Sequence, residues 1–231
     1  VGSEMCIRDR AISPLETRIS GSTRTVLEAT RVVTGVASID ADTIAALQTD
    51  TANFMAKAVL PDNPLGTVLH LQPGIDLRNS GDMQLTSRWD FMSPAWRYAG
   101  EAGSLHLAAG GQLDIQASLT DGFATTALPD PLGMILPDMP VALQFRDVMQ
   151  PGPSWAYDLK AGGDLQLSPY FTPDPAASAR QQVMVRTGTG TIRLSADGAI
   201  RFLKDGRNPH LAAAVYTAGS PAPYTWGDLL L

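Results

Sequence analysis

The sequence predicts an all-β fold of stacked strands, a β-solenoid, and three observations support this prediction. First, one motif recurs, in which glycine is followed by alternating polar and apolar residues. Second, two copies follow another copy after eight residues, and Gly81 lies 22 residues before Gly103, near the length of one solenoid coil. Third, the alternation has the period of a strand with one buried face. The copies are 81–85, 103–107, 111–115, 163–167, 190–194 and 198–202.

The alternation assigns the side chains of these strands to two faces. The inward set is apolar: Met83, Leu85, Leu105, Leu107, Leu113, Ile115, Leu165, Leu167, Ile192, Leu194, Ile200 and Phe202. The outward set is polar: Gln84, His106, Gln112, Asp114, Gln116, Gln166, Arg193 and Arg201. In a stack, each coil depends on its neighbours to bury its apolar face. Glycine before each strand suits a tight corner, where a positive φ is tolerated.

A β-sandwich would show the same alternation and stays open as the alternative. Sandwiches favour hairpins closed by two-residue turns such as Asp-Gly. Asp-Gly steps occur at Asp121, Asp197 and Asp205, of which the second lies between two copies of the motif. The repeated spacing favours the solenoid.

Two segments break the strand pattern. Residues 38–59 have apolar side chains at helical spacing, with Asp40 or Asp42 placed to cap the start and Lys57 near the end. We expect one inserted helix, at about 40–58, laid over the solenoid. Its apolar face consists of Ile44, Leu47, Phe54, Met55 and Ala58.

The second break is a proline-rich excursion at about 124–182, where nine of the 17 prolines lie between Pro129 and Pro175. Proline cannot donate to a strand ladder, so mostly loop or edge structure is expected. A strand pair at 154–160 and 163–168 is predicted within it. Apolar residues indicate that the excursion packs against the rest of the chain: Met134, Ile135, Leu136, Leu143 and Phe145.

The first ten residues, VGSEMCIRDR, are similar to a translated sequencing adaptor and are excluded from fold reasoning as a non-native artefact. A true N-terminus with an odd cysteine is the alternative. The exclusion removes Cys6, the only cysteine, and with it disulfides, zinc–thiolate sites and thiol catalysis. Residues 11–68 are then expected to form N-terminal strands plus the helix, and residues 69–231 the solenoid with its excursion.

Composition and charge exclude several classes of protein. A chain with 44% hydrophobic and 17% charged residues is not of the disordered type. It contains no run of 18 apolar residues, as a membrane-spanning helix would need. The net charge of −6, without a basic run, argues against nucleic acid as a partner and against a polybasic membrane contact.

A search for chemical sites assigns no catalytic, cofactor-binding or metal-binding residues. His106 and Asp114, eight residues apart and both outward, come nearest to the clusters of β-helix enzymes, and a solvated surface pair is the preferred interpretation. His70, His106 and His210 lack metal-ligand spacing. The segment Gly188–Gly190 lacks the third glycine of a dinucleotide loop, and Gly110–Asp114 lacks the third glycine of a calcium-binding repeat.

The aromatic residues form two groups that could stack on sugar rings. One group is Trp89, Trp96 and Tyr98, and the other is Trp155 and Tyr157. Alternation places Trp89 on the inward face, so core packing or loop anchoring is favoured over a glycan site.

With these repeats in view, the chain resembles the large exoproteins of the filamentous haemagglutinin family of Gram-negative bacteria. The resemblance covers about 69–219 and is densest in two blocks, 71–123 and 183–219. The first block contains four strings that family members share in similar form: PGIDL at 73–77, WDF with WRY at 89–98, AAGGQLDI at 108–115 and SLTDGF at 118–123. The second block contains VRTGTGTIRLSADGAIRF at 185–202 and AAVYTAG at 213–219. It implies a right-handed parallel β-helix, export by the two-partner route, and a place at the cell surface. The chain would be an internal piece, cut at both ends, without the domain that the transporter recognises.

These observations together predict a non-enzymatic structural segment of a secreted, surface-displayed, adhesin-like exoprotein. Its expected partners are the outer-membrane transporter, through a region not present in this chain, the neighbouring coils of the parent chain, and a ligand on a host cell or surface. A carbohydrate-active β-helix enzyme and a carbohydrate-binding module remain the alternatives. The lack of a carboxylate cluster disfavours the enzyme.

Deletion of Val1–Arg10 should leave the free energy of unfolding unchanged within about 0.5 kcal/mol, as for a surface change away from special features. Urea denaturation of the full chain and of 11–231 measures the difference. A larger loss of stability would mean that these residues are part of the folded domain.

Overall fold

The computed structural model describes residues 25–57, 69–127, 145–168, 183–205 and 208–219. Its fold is mostly β, with parallel sheets and one helix, in agreement with the predicted all-β class. The assignment of residues 1–10 as an artefact lies outside the described residues. The elements are β1 (Thr25–Thr34), β2 (Ser38–Ile39), α1 (Ala41–Lys57), β3 (Leu69–Asn79), β4 (Met83–Leu85), β5 (Trp89–Asp90), β6 (Ser104–Ala109), β7 (Leu113–Ile115), β8 (Leu119–Thr120), β9 (Phe123–Ala127), β10 (Phe145–Met149), β11 (Ala156–Ala161), β12 (Leu165–Leu167), β13 (Met184–Thr187), β14 (Ile192–Ala196), β15 (Ile200–Phe202), β16 (Lys204–Asp205), β17 (Asn208–Ala212) and β18 (Ala214–Thr217).

Three parallel sheets make up most of the fold. Sheet A has the order β1-β3-β6-β11-β14, sheet B has β2-β4-β7-β12-β15, and sheet C has β5-β8-β13-β18. The chain visits the sheets in the order A, B, C, and each such pass is here called a rung. Rungs 1 to 5 begin with β1, β3, β6, β11 and β14, and rung 1 leaves for α1 after β2. Strands of successive rungs lie about 4.8 Å apart.

The register between rungs stacks like side chains on like. In sheet B, Met83, Leu113 and Leu165 are aligned, and in sheet A, Leu77, Leu107 and Leu159 are aligned. All six are fully buried. The predicted inward positions Leu105, Leu107, Leu113 and Ile115 are therefore confirmed.

The last described rung departs from the predicted burial. Ile200 and Phe202 align with Leu165 and Leu167, yet they are 42% and 47% exposed. Ile192 and Leu194 are only half-buried. The prediction that these four are buried was wrong because no described strand covers the far side of rung 5.

On the outward face the predicted exposure holds for only half of the tested positions. Arg193 and Arg201 are exposed, as predicted, while His106 and Asp114 are half-buried among polar neighbours in the middle of the stack. The outward direction was correct, but side chains on adjacent rungs cover part of each other.

The repeated glycines have a different role from the predicted one. Positive φ occurs at Gly35, Gly100, Gly122, Gly152 and Gly219 among the described glycines, and none of these begins a copy of the motif. A Cβ at Gly103 would overlap the carbonyl oxygen of Pro73, and one at Gly190 would overlap that of Trp155. Glycine is needed there because successive rungs approach each other too closely for a side chain.

The predicted helix is present as α1, and it covers the first rung. Asp40 accepts a hydrogen bond from the Thr43 N–H at 2.8 Å, which lowers the pKa of Asp40 and identifies it as the cap. On the predicted face, Leu47 and Met55 are buried and Ile44 and Phe54 are half-buried, while Ala58 lies outside the described residues. Met55 packs with residues of β1 and β3, namely Leu27, Ala29 and Leu71. This helix is too short and too polar to cross a membrane, and it is the only α-helix in the described ranges.

The proline-rich excursion contains an antiparallel pair, β9 and β10. This β9–β10 pair packs on the outer face of sheet C, where the Arg186 guanidinium lies 4.3 Å from the centre of the Phe123 ring and pairs with Asp147. The predicted strands at 154–160 and 163–168 correspond to β11 and β12, which belong to sheets A and B instead of pairing with each other. Met134, Ile135, Leu136 and Leu143 lie outside the described residues, as does the side chain of Phe145.

The substitution Gly110→Ala should destabilise the fold by about 2 kcal/mol, because the new Cβ would overlap the carbonyl oxygen of Ser80 on the rung below. Gly81→Ala is the matched control at the same corner, since its Cβ would meet nothing closer than 3.9 Å. The control should change stability by less than about 1 kcal/mol. Equal effects in urea denaturation would contradict the close-approach explanation.

Candidate functional site

The outer face of sheet A carries a row of charged side chains. Asp76, His106, Asp158 and Arg193 occupy aligned positions on rungs 2 to 5. Asp158 lies 3.8 Å from His106 Nδ1 and 3.6 Å from Arg193 Nη1. Arg78, two residues after Asp76 on the same face, donates from Nε and Nη2 to the Asp76 carboxylate. This charged row is the part of the described surface that brings the most charged and titratable side chains together.

Ser104 extends the row toward rung 1. Its Oγ lies 3.2 Å from His106 Nε2 and 2.7 Å from Glu28 Oε1. Glu28 reaches from β1 across the position of Gly74, where a Cβ would overlap its carboxylate. Glu28 also accepts from Thr30 Oγ1 at 2.8 Å. A hydrogen-bond network therefore runs across the rungs from Glu28 to His106.

The row contains the three residue types of a nucleophilic triad, in Ser104, His106 and Asp158. Their hydrogen bonds, however, do not have the directions that a triad requires. A hydroxyl has one hydrogen, and the nearest acceptor of the Ser104 hydroxyl is the Glu28 carboxylate. The hydroxyl hydrogen is therefore directed toward Glu28 and away from His106 Nε2, so the imidazole is not placed as a base toward Ser104. Acyl transfer requires N–H groups that are free to donate to the oxyanion of the intermediate. The strand that carries Ser104, β6, pairs with β3 on one side and β11 on the other. The network is suited to tying rungs together.

The sequence-based pair of His106 and Asp114 is separated in the structure. Asp114 lies on β7 in sheet B, where its carboxylate accepts from Gln116 at 2.8 Å and from Ser168 at 2.6 Å. His106 lies on β6 in sheet A and faces Asp158 of the next rung. Sequence reasoning missed Asp158 because its alignment with His106 depends on how many residues the excursion inserts between rungs 3 and 4.

Four of the five aromatic residues in these two groups are core residues, as the sequence favoured, and Tyr98 is half-buried. Trp89, Phe91 and Trp155 are fully buried, and Trp96 is almost so. The Phe91 ring centre lies 4.9 Å from that of Trp89 and 4.2 Å from that of Trp155, with both pairs stacked. Buried faces cannot stack on a sugar, so these tryptophans do not form a glycan site.

Asp121 fastens the corner beside this aromatic cluster. It is fully buried, accepts from the Trp155 N–H at 2.6 Å, and lies 2.8 and 2.9 Å from Arg97 Nη2 through its two oxygens. Burial raises the pKa of the Asp121 carboxyl, against the opposing effects of the Trp155 N–H and Arg97. Burial likewise raises the pKa of Tyr157 well above its ordinary value. These groups join rungs 2, 3 and 4.

The remaining candidate motifs within the described residues contact other parts of the fold. Gly188 lies against Gly122 and Ser154, and Gly110 lies against Ser80 of the rung below. His70 Nδ1 lies 2.9 Å from Glu101. Within the described ranges no group of three or more His, Cys, Asp or Glu residues is placed to hold a metal ion. The side chain of His210 lies outside the described part of the chain.

A shallow cavity of about 280 Å³ lies between α1 and the 3₁₀ turn Pro94–Trp96. Its walls are mostly apolar and include Met55, Pro73 and Trp96. The cavity lies between α1, which covers rung 1, and the corner of rung 2.

No protein-family model, curated protein or solved structure matches the chain.

Asp121→Ala should destabilise the fold by about 3–5 kcal/mol, because Arg97 would lose the carboxylate that balances its charge in a largely buried position. Asp50→Ala is the matched control, since the ion pair of Asp50 with Arg31 is more than 40% exposed on both sides. The control should cost about 1 kcal/mol or less. Thermal and urea denaturation measure both, and similar losses would contradict a structural role for burial at Asp121.

Proposed function

We propose that the chain is a segment of a right-handed parallel β-helix that forms part of an elongated, secreted, surface-displayed exoprotein of the adhesin type. The observation that carries this proposal is the repeated order of sheets A, B and C over rungs 2 to 5, with rung 1 adding one strand each to sheets A and B. In a β-helix, the chain winds repeatedly through the same parallel sheets. Four inter-rung spacings give the stack a length of about 19 Å.

The distribution of side chains supports a structural role. The interior contains aliphatic ladders and an aromatic cluster, and the most elaborate polar network, from Glu28 to Arg193, links rungs to each other. An outer surface of this kind suits extension and presentation more than turnover of a substrate. We infer a non-enzymatic segment whose neighbours are further coils of a parent protein.

Export by the two-partner route accounts for the cysteine content. The only cysteine, Cys6, lies in the adaptor-like segment. A chain that crosses the outer membrane unfolded benefits from the absence of disulfides, since early bridges would obstruct passage. The transporter would bind a region outside this sequence, and the folded segment would then face a host cell or another surface.

The carbohydrate-related alternatives find little support. The three described tryptophans, Trp89, Trp96 and Trp155, are buried, and the histidine and aspartate nearest to an enzymatic pair lie on different sheets. The outer face of sheet A offers ion pairs and hydrogen bonds instead of exposed aromatic platforms.

A secretion experiment tests the proposal. Residues 11–231 are fused behind the recognition domain of a two-partner system and produced in a Gram-negative host with the matching transporter. The segment should reach the cell surface, where antibody binds a C-terminal tag on intact cells and external protease removes it. A disulfide-bonded domain of similar length serves as the control and should stall. Retention of the segment inside the cell, with the transporter present, would contradict the proposed route.

A further inference from the structure

The helix α1 takes the place of a strand at the rung 1 end of the stack. In rungs 2 and 3 the strand of sheet B is followed by a strand of sheet C, namely β5 and β8. In rung 1 the chain turns at Asp40 and enters α1 directly after β2. The helix contacts β1, β2, β3 and the 3₁₀ turn Pro94–Trp96, which follows β5. It therefore lies across rung 1 and the corner of rung 2.

The inner face of α1 closes the apolar interior at this end. Leu47 is buried in the same cluster as Ile39 of β2 and Trp96 of the corner. Met55 is buried in a second cluster with Leu71 of β3. Side chains of a helix thus cover the interior that a further coil would otherwise have to cover.

The outer side of α1 and the ion pair that joins it to rung 1 are polar. Four exposed side chains of the helix are polar or charged: Asp42, Thr49, Asn53 and Lys57. Arg31 of β1 pairs with Asp50 of the helix, and both side chains are more than 40% exposed. The positions aligned with Arg31 on rungs 2 to 5 are apolar or aromatic: Ile75, Leu105, Tyr157 and Ile192. A coil stacked on rung 1 would take the Arg31 charge out of water, which is costly.

We propose that α1 is a terminal cap that gives the stack a direction: no coil stacks on rung 1, and any further coil of a parent protein lies beyond rung 5. The helix covers the interior on which such a coil would have to pack, and it presents a polar surface, as terminal caps of repeat proteins do. A helix laid over a sheet edge also keeps other strands from pairing there. A part of the parent protein that precedes rung 1 is then a separate domain, joined through a linker. The existence of further coils rests on the proposed function, whereas stacking on rung 1 is tested without export.

Adding one coil at two different places tests the cap. A second copy of residues 69–98 spans one rung in register, because Gly74 aligns with Ser104 of the next rung. One chain carries this copy between residues 24 and 25, ahead of rung 1. The matched control carries the same copy between residues 98 and 99, inside the stack, where it should fold as an additional rung.

A single cysteine reports whether the added copy is folded. In a Cys6→Ser background, Leu85→Cys is introduced only in the added copy, because Leu85 is fully buried on rung 2. The cysteine ahead of rung 1 should react with a maleimide at least about 10-fold faster than the cysteine inside the stack. Circular dichroism checks that both chains keep their β structure. Equal rates at the two places overturn the proposal, whatever the result of the secretion experiment.

A substitution under the helix tests whether α1 closes this end. Leu47→Asp should displace α1 from the interior, and Ala46→Asp, at the neighbouring exposed position, is the matched control. Amide hydrogen exchange at β1 and β2 should become at least about 10-fold faster in Leu47→Asp and stay unchanged in Ala46→Asp, while β7 and β12 keep their protection. Leu47→Ala gives the same comparison, with a smaller effect, if Leu47→Asp does not fold. Unchanged exchange at β1 in the folded Leu47 variant overturns the proposal.

Discussion

Every part of this fold depends on the parallel backbone ladders that hold one rung in register with the next. A rung contributes strands of two to eleven residues, which cannot bury an apolar face by themselves. Once the register is set, leucine stacks on leucine, and the interior becomes continuous from rung 2 to rung 4. The glycines at the corners serve the same register, because a side chain there would push neighbouring rungs apart.

The polar groups follow the same constraint on a smaller scale. On the outer face of sheet A, register brings Asp76, His106 and Asp158 into one row, although they are far apart in sequence. At the aromatic corner, Asp121 and Arg97 join different rungs in a buried pair. Both arrangements use charge to connect rungs, and the buried pair does so where no water competes for the hydrogen bonds.

The sequence predicted what depends on local periodicity. Alternation identified the inward face of rungs 3 and 4, and helical spacing with Asp40 or Asp42 at its start identified α1. It did not predict that Asp158 would lie beside His106, because the alignment is set by a long excursion whose residues carry no strand period. Burial of Ile200 and Phe202 was predicted from parity alone, whereas burial also requires a covering rung. The glycines were assigned to positive φ, whereas the true cause, contact with the previous rung, is a property of the stack.

The direction of the ladder bonds also determines how the molecule responds to force. Its strands run across the stacking direction, and their hydrogen bonds run along it. A force applied along the stack therefore loads the hydrogen bonds of a strand one after another. A force applied parallel to the strands would instead load all of these bonds at once, in shear. Such a body yields stepwise, one rung at a time, and of the described rungs the one that no described strand covers should yield before those that α1 packs against.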